Sequence, residues 1–240
     1  MFAFKKFNIK QQANAMKVGT DSVVLGALVQ IPQTNLPYLS LDIGTGTGLL
    51  ALMLAQKGAP KIDAVELEPI FAQEAQFNFN QSEWAARILL FEMSIQQFAA
   101  SSENKYELII SNPPYYIEAD SFKLEEPLRA TARYTQQLSF DVLAQCVSLL
   151  LTEQGKFWLI LPNKEAALFQ QQAQAAQLYL QQTIEITPKQ DAKSNRVVMC
   201  YGKTSTPMIQ SEIVLYQSDG MPTELYKNLT RDFYIGKQFS

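Results

Sequence analysis

The chain carries a four-residue motif, Asn112-Pro113-Pro114-Tyr115, directly after an apolar run. A planar amino group is a poor nucleophile because its lone pair is delocalised, and acceptors aimed at its two hydrogens favour the reactive tetrahedral geometry. The Asn112 side-chain oxygen and the Pro113 carbonyl are suited to this task. The prolines fix the loop and remove competing N–H donors, and Tyr115 offers a face on which a base can stack. The motif indicates group transfer to an amino group by positioning and electrostatics; the alternative is a rigid turn after a core strand.

A second motif is the glycine-rich turn Asp-Ile-Gly-Thr-Gly-Thr-Gly, which precedes a segment of helical periodicity. Gly44, Gly46 and Gly48 permit positive φ and let a ligand approach the backbone, and the helix offers free N–H groups at its start. Asp42 opens the turn. Glu66 ends the next predicted strand, where an acid can accept hydrogen bonds from ribose hydroxyls. These features favour a nucleoside cofactor over a tight turn with two chance acids.

The spacing and charge of this turn distinguish between cofactors. A dinucleotide site spaces its glycines G-x-G-x-x-G, and Leu49 stands where the third glycine would fall. The Asp42 carboxylate disfavours a pyrophosphate and suits a cationic ligand. S-adenosylmethionine carries an ammonium and a sulfonium charge and no phosphate, so we expect it to be the cofactor.

Composition narrows the chemistry further. The 240 residues include no histidine, which excludes a Ser–His triad and the commonest zinc ligand, and we expect no metal. The net charge of −3 argues against a broad surface that coats nucleic acid, although a local basic patch remains compatible with it. Cys146 and Cys200 lie in helix-like and strand-like patterns, as buried cysteines of a reduced protein do. With no membrane-spanning run and no secretory leader, we expect a cytoplasmic protein that does not bind membranes.

Short apolar runs alternate with helical segments along the chain. We predict strands over residues 39–43, 62–67, 88–93, 106–111 and 156–161, and helices over 48–56, 70–80, 95–100, 139–151 and 165–177. This alternation predicts a parallel sheet with helices on both faces. Residues 180–186 and 196–201 are joined by a short polar link, which favours an antiparallel hairpin. Residues 213–217 are the candidate for a further edge strand and 223–234 for a final helix.

The predicted fold class is α/β: a mostly parallel seven-stranded sheet with an antiparallel terminal hairpin, which resembles the Rossmann-like class I methyltransferases. We expect a single domain over 1–240, with an N-terminal arm and helix at 1–38, a core at 39–205 and an extension at 206–240. The sequence shows no internal repeat and no Gly/Ser-rich linker that would divide it.

The surroundings of both motifs resemble one family. The stretches that carry the resemblance are Lys17-Val18-Gly19-Thr20-Asp21, Leu25-Gly26-Ala27, residues 49–56, 64–67 and 109–116, Ala132-Arg133-Tyr134-Thr135 and Asp232-Phe233-Tyr234. Over nearly its whole length the chain is similar to the bacterial tRNA (adenine-N6)-methyltransferases that modify adenine 37 of valine tRNA. The resemblance implies methyl transfer from S-adenosylmethionine to an adenine N6 amine in a tRNA anticodon loop, performed by a monomer.

The resemblance also implies a set of site residues. It implies cofactor contacts by Asp42, Gly44, Glu66 and Asn112 and a target base held by Asn112 and Tyr115. We expect Pro113 and Pro114 to complete the base site, and the cofactor site to include also Thr20, Gly46, Gly48, Leu67, Ser94 and Ile95. Family members usually have Asp just after the third strand, to accept the amino group of the cofactor's adenine, where this chain has Ser94. A hydroxyl accepts less strongly than a carboxylate, so we expect weaker cofactor affinity. Thr20 either closes over the cofactor or, like Asp21, caps the helix that follows.

Basic residues predict where RNA binds. The N-terminal arm has lysines interleaved with Phe2, Phe4 and Phe7, and Arg133 lies in one of the stretches that carry the resemblance. Splayed loop bases suit aromatic stacking and arginine contacts, and we expect these side chains near the carboxyl ends of the parallel strands. The predicted RNA-binding residues are Lys5, Lys6, Lys10, Arg129, Arg133, Lys193 and Arg196.

Three other enzymes and one non-enzyme remain as alternatives. A protein-glutamine methyltransferase shares the Asn-Pro-Pro-Tyr motif but usually has a helical N-terminal domain. A DNA adenine methyltransferase normally has a target-recognition domain, and a guanine-N2 rRNA enzyme often has a second, degenerate copy of the fold. The remaining alternative is a non-catalytic RNA-binding protein on the same scaffold, which the two intact motifs disfavour.

Overall fold

The computed structural model describes residues 1–11, 19–34, 36–114 and 138–236. In chain order its elements are β1 (Phe2–Ala3), β2 (Asn8–Ile9), α1 (Thr20–Leu28), β3 (Leu39–Ile43), α2 (Leu49–Gln56), β4 (Lys61–Glu66), α3 (Pro69–Asn80), a 3₁₀ turn (Ala85–Arg87), β5 (Ile88–Glu92), α4 (Ile95–Ser101), β6 (Tyr106–Ser111), α5 (Phe140–Leu150), β7 (Leu151–Pro162), α6 (Asn163–Ala175), β8 (Tyr179–Lys189), β9 (Arg196–Gly202), β10 (Ile209–Tyr216) and α7 (Glu224–Thr230).

The described strands form an eight-stranded sheet in the order β10-β8-β9-β7-β6-β3-β4-β5. Only β9 runs against its neighbours, β7 and β8, and every other pair in this sheet is parallel. The α/β fold class, the methyltransferase architecture and the antiparallel β8–β9 hairpin are therefore confirmed. The strand count of seven was one too low, because the edge strand β10 begins at Ile209 and pairs with β8 along its whole length.

The parallel strands bring both sequence motifs to the same edge of the sheet. Ile43, the last residue of β3, pairs with Ser111, the last residue of β6. Val65 of the neighbouring β4 pairs with Ile43 on its other side. The glycine turn after Ile43, the Glu66 carboxylate and the Asn-Pro-Pro loop after Ser111 therefore lie side by side at the carboxyl edge.

Helices cover the sheet on both faces, and the core is divided accordingly. The helix α2 is apolar on all sides, and Leu49 to Ala55 are all buried beneath α1 and α3. On the other face α4, α5 and α6 pack onto a second apolar cluster that includes Phe157 and Phe169. Cys146 and Cys200 are free and buried, as expected. No helix in the described ranges is long and apolar enough to cross a membrane.

The N-terminal hairpin of β1 and β2 packs into the protein and does not form a free arm. Phe4 and Phe7 are 3% and 6% exposed, and their rings stack with centroids 4.7 Å apart. Phe4 also stacks on Tyr234 near the other end of the chain, and Phe7 meets the edge of Trp84. Phe4 and Phe7 therefore belong to the core, and the expectation that they stack on RNA bases is wrong.

Candidate active site

The glycine turn has the backbone conformation that its glycines permit. Gly44, Gly46 and Gly48 have φ of 70°, 56° and 84°, in the left-handed region that other residues adopt at a cost. A Cβ on Gly48 would lie 2.4 Å from the Phe79 ring, whereas one on Gly46 would meet nothing within 4 Å. Gly48 therefore serves the packing of α2 against α3, and Gly46 leaves the loop open to a ligand.

Asp42 is fully buried beneath this turn. Its Oδ2 accepts hydrogen bonds from the Thr45 hydroxyl at 2.5 Å and from the Ala51 N–H at 3.1 Å. Its Oδ1 is buried and has no hydrogen-bond partner in the described part of the chain. Burial raises the pKa of Asp42 to about 7, an effect that the two hydrogen bonds reduce and the nearby Glu66 carboxylate reinforces.

Glu66 is held in place by the backbone on both sides. One carboxylate oxygen accepts from the Gly46 N–H at 2.8 Å and the other from the Glu68 N–H at 3.0 Å. Burial raises the pKa of Glu66, and these backbone donors act in the opposite direction. The Leu67 N–H is a third backbone donor to this carboxylate, and three donors leave part of its roughly four lone-pair sites open to a ligand hydroxyl.

The electrostatics of the turn favour a cation. The buried Glu66 carboxylate lies close enough to Asp42 to raise the Asp42 pKa, and within the described residues neither carboxylate forms an ion pair. Burying such charges is costly unless a partner compensates them. The unpartnered Oδ1 of Asp42 therefore fits a positively charged ligand such as S-adenosylmethionine, and it would repel a pyrophosphate. Among the described residues, no group of acids or cysteines is placed to hold a metal ion.

A mostly apolar cleft continues from the turn towards β5 and α4. Ser94 lies in it and caps α4: its Oγ accepts from the Gln97 N–H at 3.2 Å, and the Gln97 side chain accepts from the Ser94 N–H at 3.1 Å. The cleft has the composition expected for an adenine ring, with apolar walls and few polar groups. The residues that line it are Ile43, Gly44, Val65, Leu67, Met93, Ser94, Ile95, Gln96 and Leu138.

The Asn-Pro-Pro loop begins where β6 ends. The Ser111 hydroxyl donates to the Ile43 carbonyl at 2.8 Å, which ties this strand end to the glycine turn. Pro113 and Pro114 are buried, and Asn112 is half-buried. The Asn112 Nδ2 donates to the Ser22 hydroxyl of α1 at 2.8 Å. Tyr115, the last residue of the motif, lies outside the described residues.

The first turn of α1 forms the neighbouring wall of the site. The N-cap is Gly19, without a side-chain capping bond, and Thr20 is the first helical residue and is exposed. The alternative in which Thr20 or Asp21 caps this helix is therefore wrong. Asp21 instead pairs with the Arg196 guanidinium, with Nε to Oδ2 at 2.8 Å.

Three of the predicted RNA-binding residues lie at or near the carboxyl edge. Arg196 begins β9 opposite Pro162, the last residue of β7, and Lys193 is exposed in the turn just before it. Lys10 lies near the glycine turn, because one Asn78 side chain joins the two. The Asn78 Oδ1 accepts from the Lys10 backbone N–H, and the Asn78 Nδ2 donates to the Thr47 carbonyl, each at 2.8 Å. Arg129 and Arg133 are outside the described residues.

Lys5 and Lys6 lie elsewhere. They line a cleft with Gln56 and Lys57 at the far end of α2 from Gly48, and an eight-residue helix is about 12 Å long. The Lys5 ammonium donates to the Arg231 carbonyl at 2.5 Å. The expected position near the carboxyl ends of the strands is therefore wrong for these two lysines.

The structure adds residues that the sequence did not single out. Thr45 donates to Asp42, and its place inside the glycine turn was the available signal. Ser22 contacts Asn112 from 90 positions earlier in the chain, and no local pattern pairs them. Met93 and Leu138 line the apolar cleft. In the sequence they are indistinguishable from ordinary core residues.

Comparison with known proteins agrees with this geometry. Residues 26–167 match the family model described as "Methyltransferase small domain". A tRNA1(Val) (adenine(37)-N6)-methyltransferase of Yersinia pestis (strain Pestoides F) is 37% identical over 236 residues, 98% of this chain and 93% of the relative. The protein of the same name from Yersinia pseudotuberculosis (serotype O:3, strain YPIII) is 37% identical over 98% of this chain and 92% of its own length.

Solved structures share the fold at low sequence identity. A predicted O-methyltransferase from Agrobacterium tumefaciens superposes with a TM-score of 0.66 at 16% identity, covering 89% of this chain and 96% of the other. The hMettl16 catalytic domain, in complex with MAT2A 3'UTR hairpin 1, gives a TM-score of 0.60 at 16% identity, covering 86% and 78%.

The sheet order, the acid-flanked glycine turn and the small-domain match together define a methyltransferase whose methyl donor is S-adenosylmethionine. Its sequence relatives narrow the class. The chain belongs to the family of tRNA1(Val) (adenine(37)-N6)-methyltransferases.

Proposed function

We propose that the protein transfers a methyl group from S-adenosylmethionine to the exocyclic N6 amine of adenine 37 in valine tRNA. The observation that carries the proposal is the pairing of Ile43 with Ser111, since it sets the cofactor turn beside the Asn-Pro-Pro loop. Relatives that carry this activity in their names match 98% of the chain. The proposal includes a single domain, a monomer and a cytoplasmic location, where tRNA is modified.

The described residues fit each part of the cofactor. The Asp42 Oδ1, which has no partner among the described residues, would face the positive charge of the cofactor, and the Glu66 oxygens would accept from its ribose hydroxyls. The apolar cleft with Leu67, Ser94 and Ile95 would take its adenine. The bound cofactor supplies an electrophilic methyl group attached to a positively charged sulfur.

The Asn-Pro-Pro loop would bind and orient the target amine. Asn112 Oδ1 and the Pro113 carbonyl would accept hydrogen bonds from its two N–H groups, drawing the nitrogen lone pair out of conjugation. The N–C bond would form as the carbon–sulfur bond breaks, and the methylated amine would then lose one of its hydrogens as a proton. Their positions are fixed before the base arrives, because the prolines restrict the backbone and Ser111 is bonded to the Ile43 carbonyl. This preorganisation lowers the barrier without a strong base, which suits a chain that has no histidine.

The carboxyl edge is also where we place the RNA. Lys193 and Lys10 offer positive charge on either side of the loop, and Arg129, Arg133 and Tyr115 extend the proposed surface beyond the described residues. Arg196 is already paired with Asp21, so we assign it chiefly to holding α1 in place. Lys5 and Lys6, at the far end of α2, are left out of this surface.

The test is methyl transfer from labelled S-adenosylmethionine to total tRNA from a strain that lacks the gene. We expect label in tRNA with the wild-type protein and none with Asn112→Ala, while both bind the cofactor. Label in protein or rRNA with none in tRNA would show that the proposed substrate is wrong, while the assignment of the methyltransferase site would be unaffected. Cofactor and RNA binding with no transfer to any acceptor would favour the non-catalytic alternative.

A further inference from the structure

The amide of Asn112 has one defined contact on the α1 side of the site. Its Nδ2 donates to the Ser22 hydroxyl at 2.8 Å, in a partly buried position. A carboxamide is planar, with oxygen and nitrogen on opposite arms. Holding the nitrogen against Ser22 therefore turns the oxygen away from α1.

Ser22 is itself rigidly placed, because α1 is fixed at both ends. In its first turn Asp21 pairs with Arg196 of β9, and these two side chains are only 29% and 25% exposed. At its other end the Lys57 ammonium donates to the carbonyls of Gly26, Ala27 and Val29. Such a cation at a helix C-terminus satisfies carbonyls that have no partner within the helix.

The middle of α1 is equally constrained. A Cβ on Gly26 would lie 2.6 Å from the Met53 sulfur, so side chains of α2 pack directly on the backbone of α1. Ser22 therefore cannot follow Asn112 if the amide rotates. A fixed hydroxyl restrains the rotation of the amide, and with Ser22 Oγ accepting from Nδ2 the Asn112 Oδ1 is held on the side away from α1.

We propose that Ser22 is a positioning residue for the reaction: its hydroxyl holds the Asn112 amide so that Oδ1 faces the target amine. This role rests on the proposed function, since it assigns to Oδ1 the acceptance of an amine hydrogen. Without the hydroxyl the amide loses this restraint. In a fraction of the molecules Nδ2, a hydrogen-bond donor, then faces the N–H donors of the target amine.

The kinetic test compares Ser22→Ala with Ser22→Thr, which keeps the hydroxyl. We expect Ser22→Ala to lower kcat about five- to tenfold, as loss of one positioning hydrogen bond does, with the KM for tRNA and the Kd for cofactor within about twofold of wild type. Ser22→Thr should restore most of the loss. The control is Ser101→Ala, because within the described residues that hydroxyl donates only to carbonyls of its own helix, Gln97 at 3.0 Å and Phe98 at 3.3 Å. The kcat of this variant should not change.

An unchanged kcat in Ser22→Ala would overturn the proposal. A parallel loss of cofactor affinity and kcat would also overturn it, because it would make Ser22 part of the support of the cofactor turn. Equal melting temperatures of the variants exclude misfolding as the cause.

A second measurement does not depend on the substrate. The side-chain NH₂ resonances of Asn112, identified by their absence in Asn112→Ala, should shift and broaden in Ser22→Ala and be retained in Ser22→Thr. Unchanged resonances in Ser22→Ala would refute the contact itself. If the wild-type protein methylates no tRNA while these resonances respond as expected, the proposed tRNA substrate is wrong, and the contact between Ser22 and Asn112 is still supported.

Discussion

The Glu66 carboxylate accepts a hydrogen bond from the backbone N–H of Gly46 at 2.8 Å. This contact joins the end of β4 to the glycine turn after β3, so the two parts of the cofactor site are held to each other as well as to the sheet. Gly46 pairs a φ of 56° with open space around its α-carbon. The Glu66 carboxylate therefore fixes the conformation of the turn, and the space beside the Gly46 α-carbon is left open to a ligand.

A pair of glycine substitutions separates packing from binding in this turn. Gly48→Ala places a methyl 2.4 Å from the fully buried Phe79 ring at a φ of 84°, and we expect a loss of about 2–4 kcal/mol in unfolding free energy. Gly46→Ala meets no atom within 4 Å and should cost about 1 kcal/mol in stability, while weakening cofactor binding at least tenfold. Denaturant unfolding and calorimetric titration measure both quantities. Equal stability losses in the two variants would contradict the assignment.

Asp42→Asn is expected to stabilise the protein without cofactor at pH 8. Asp42 has its folded pKa raised to about 7 from 3.8, so its ionisation disfavours the folded state as pH rises through this range, by up to about 4 kcal/mol. An amide avoids this cost but leaves an N–H₂ in the position of the unpartnered Oδ1. We expect a net gain of about 1–2 kcal/mol, or roughly 2–8 °C in Tm, together with loss of cofactor binding. A lower Tm at pH 8 would contradict it.

The same carboxylate makes cofactor affinity depend on pH. A cationic ligand binds ionised Asp42, which is increasingly protonated in the free protein below about pH 7. Between pH 7 and pH 5.5 the Kd should therefore rise by up to about tenfold per pH unit, a range in which an α-amino group stays protonated. Titrations of wild type across this range give the slope. A flat profile would show that Asp42 is already ionised. Glu66→Gln removes a carboxylate that helps to raise the Asp42 pKa, so the pH dependence of its residual binding should move to lower pH.

Ser94→Asp should tighten cofactor binding without loss of stability. Ser94 caps α4 by accepting from the Gln97 N–H, and Asp is an equally good N-cap. If position 94 accepts from the adenine amino group, as proposed, the added carboxylate strengthens that acceptor by about 1 kcal/mol, or roughly fivefold in Kd. Ser94→Ala is the matched control, since it removes both the cap and the acceptor. Unchanged affinity in Ser94→Asp would show that position 94 does not contact the cofactor.

Lysine substitutions at the two ends of the molecule test the proposed RNA surface. Lys193→Ala removes an exposed charge at the carboxyl edge and should weaken tRNA binding about threefold, with a salt dependence shallower by about one unit. Lys6→Ala removes the same charge at the far end of α2 and should change neither quantity. Binding measured at several salt concentrations provides both. A larger loss of tRNA affinity in Lys6→Ala than in Lys193→Ala would indicate that the RNA binds at the opposite edge of the sheet.

Much of the sheet could be predicted because its strands are short and continuously apolar. The bounds of β3 and β6 agree with prediction, and the helices between them differ by one residue. The strand β7 begins five residues earlier than predicted, at Leu151, because the polar stretch before Lys156 reads as a turn. In the fold residues 152–155 form an irregularity between the pairs Tyr106–Leu151 and Leu108–Lys156. Gly155 permits this close approach, since a Cβ there would lie 2.8 Å from the Tyr106 carbonyl.

The parts of the site that depend on contacts between residues far apart in the chain could not be predicted from the sequence. Lysines alternating with phenylalanines are typical of an RNA-binding arm, but Phe4 packs on Tyr234 and carries Lys5 to the far end of α2. The hydroxyl that contacts Asn112 comes from a helix whose position depends on the Asp21–Arg196 ion pair. Motif chemistry predicted Asp42, Glu66 and Asn112 as a group because strand ends converge on one edge, whereas the orientation of each side chain depends on the assembled fold.

The most direct test is nucleoside analysis of a valine tRNA transcript after incubation with the protein and S-adenosylmethionine. The matched substrate is the same transcript with guanine in place of adenine 37. We predict about one N6-methyladenosine per transcript, none in the guanine-substituted transcript and none with Asn112→Ala. N6-methyladenosine that persists when adenine 37 is replaced, or a different methylated nucleoside, would contradict the proposed reaction.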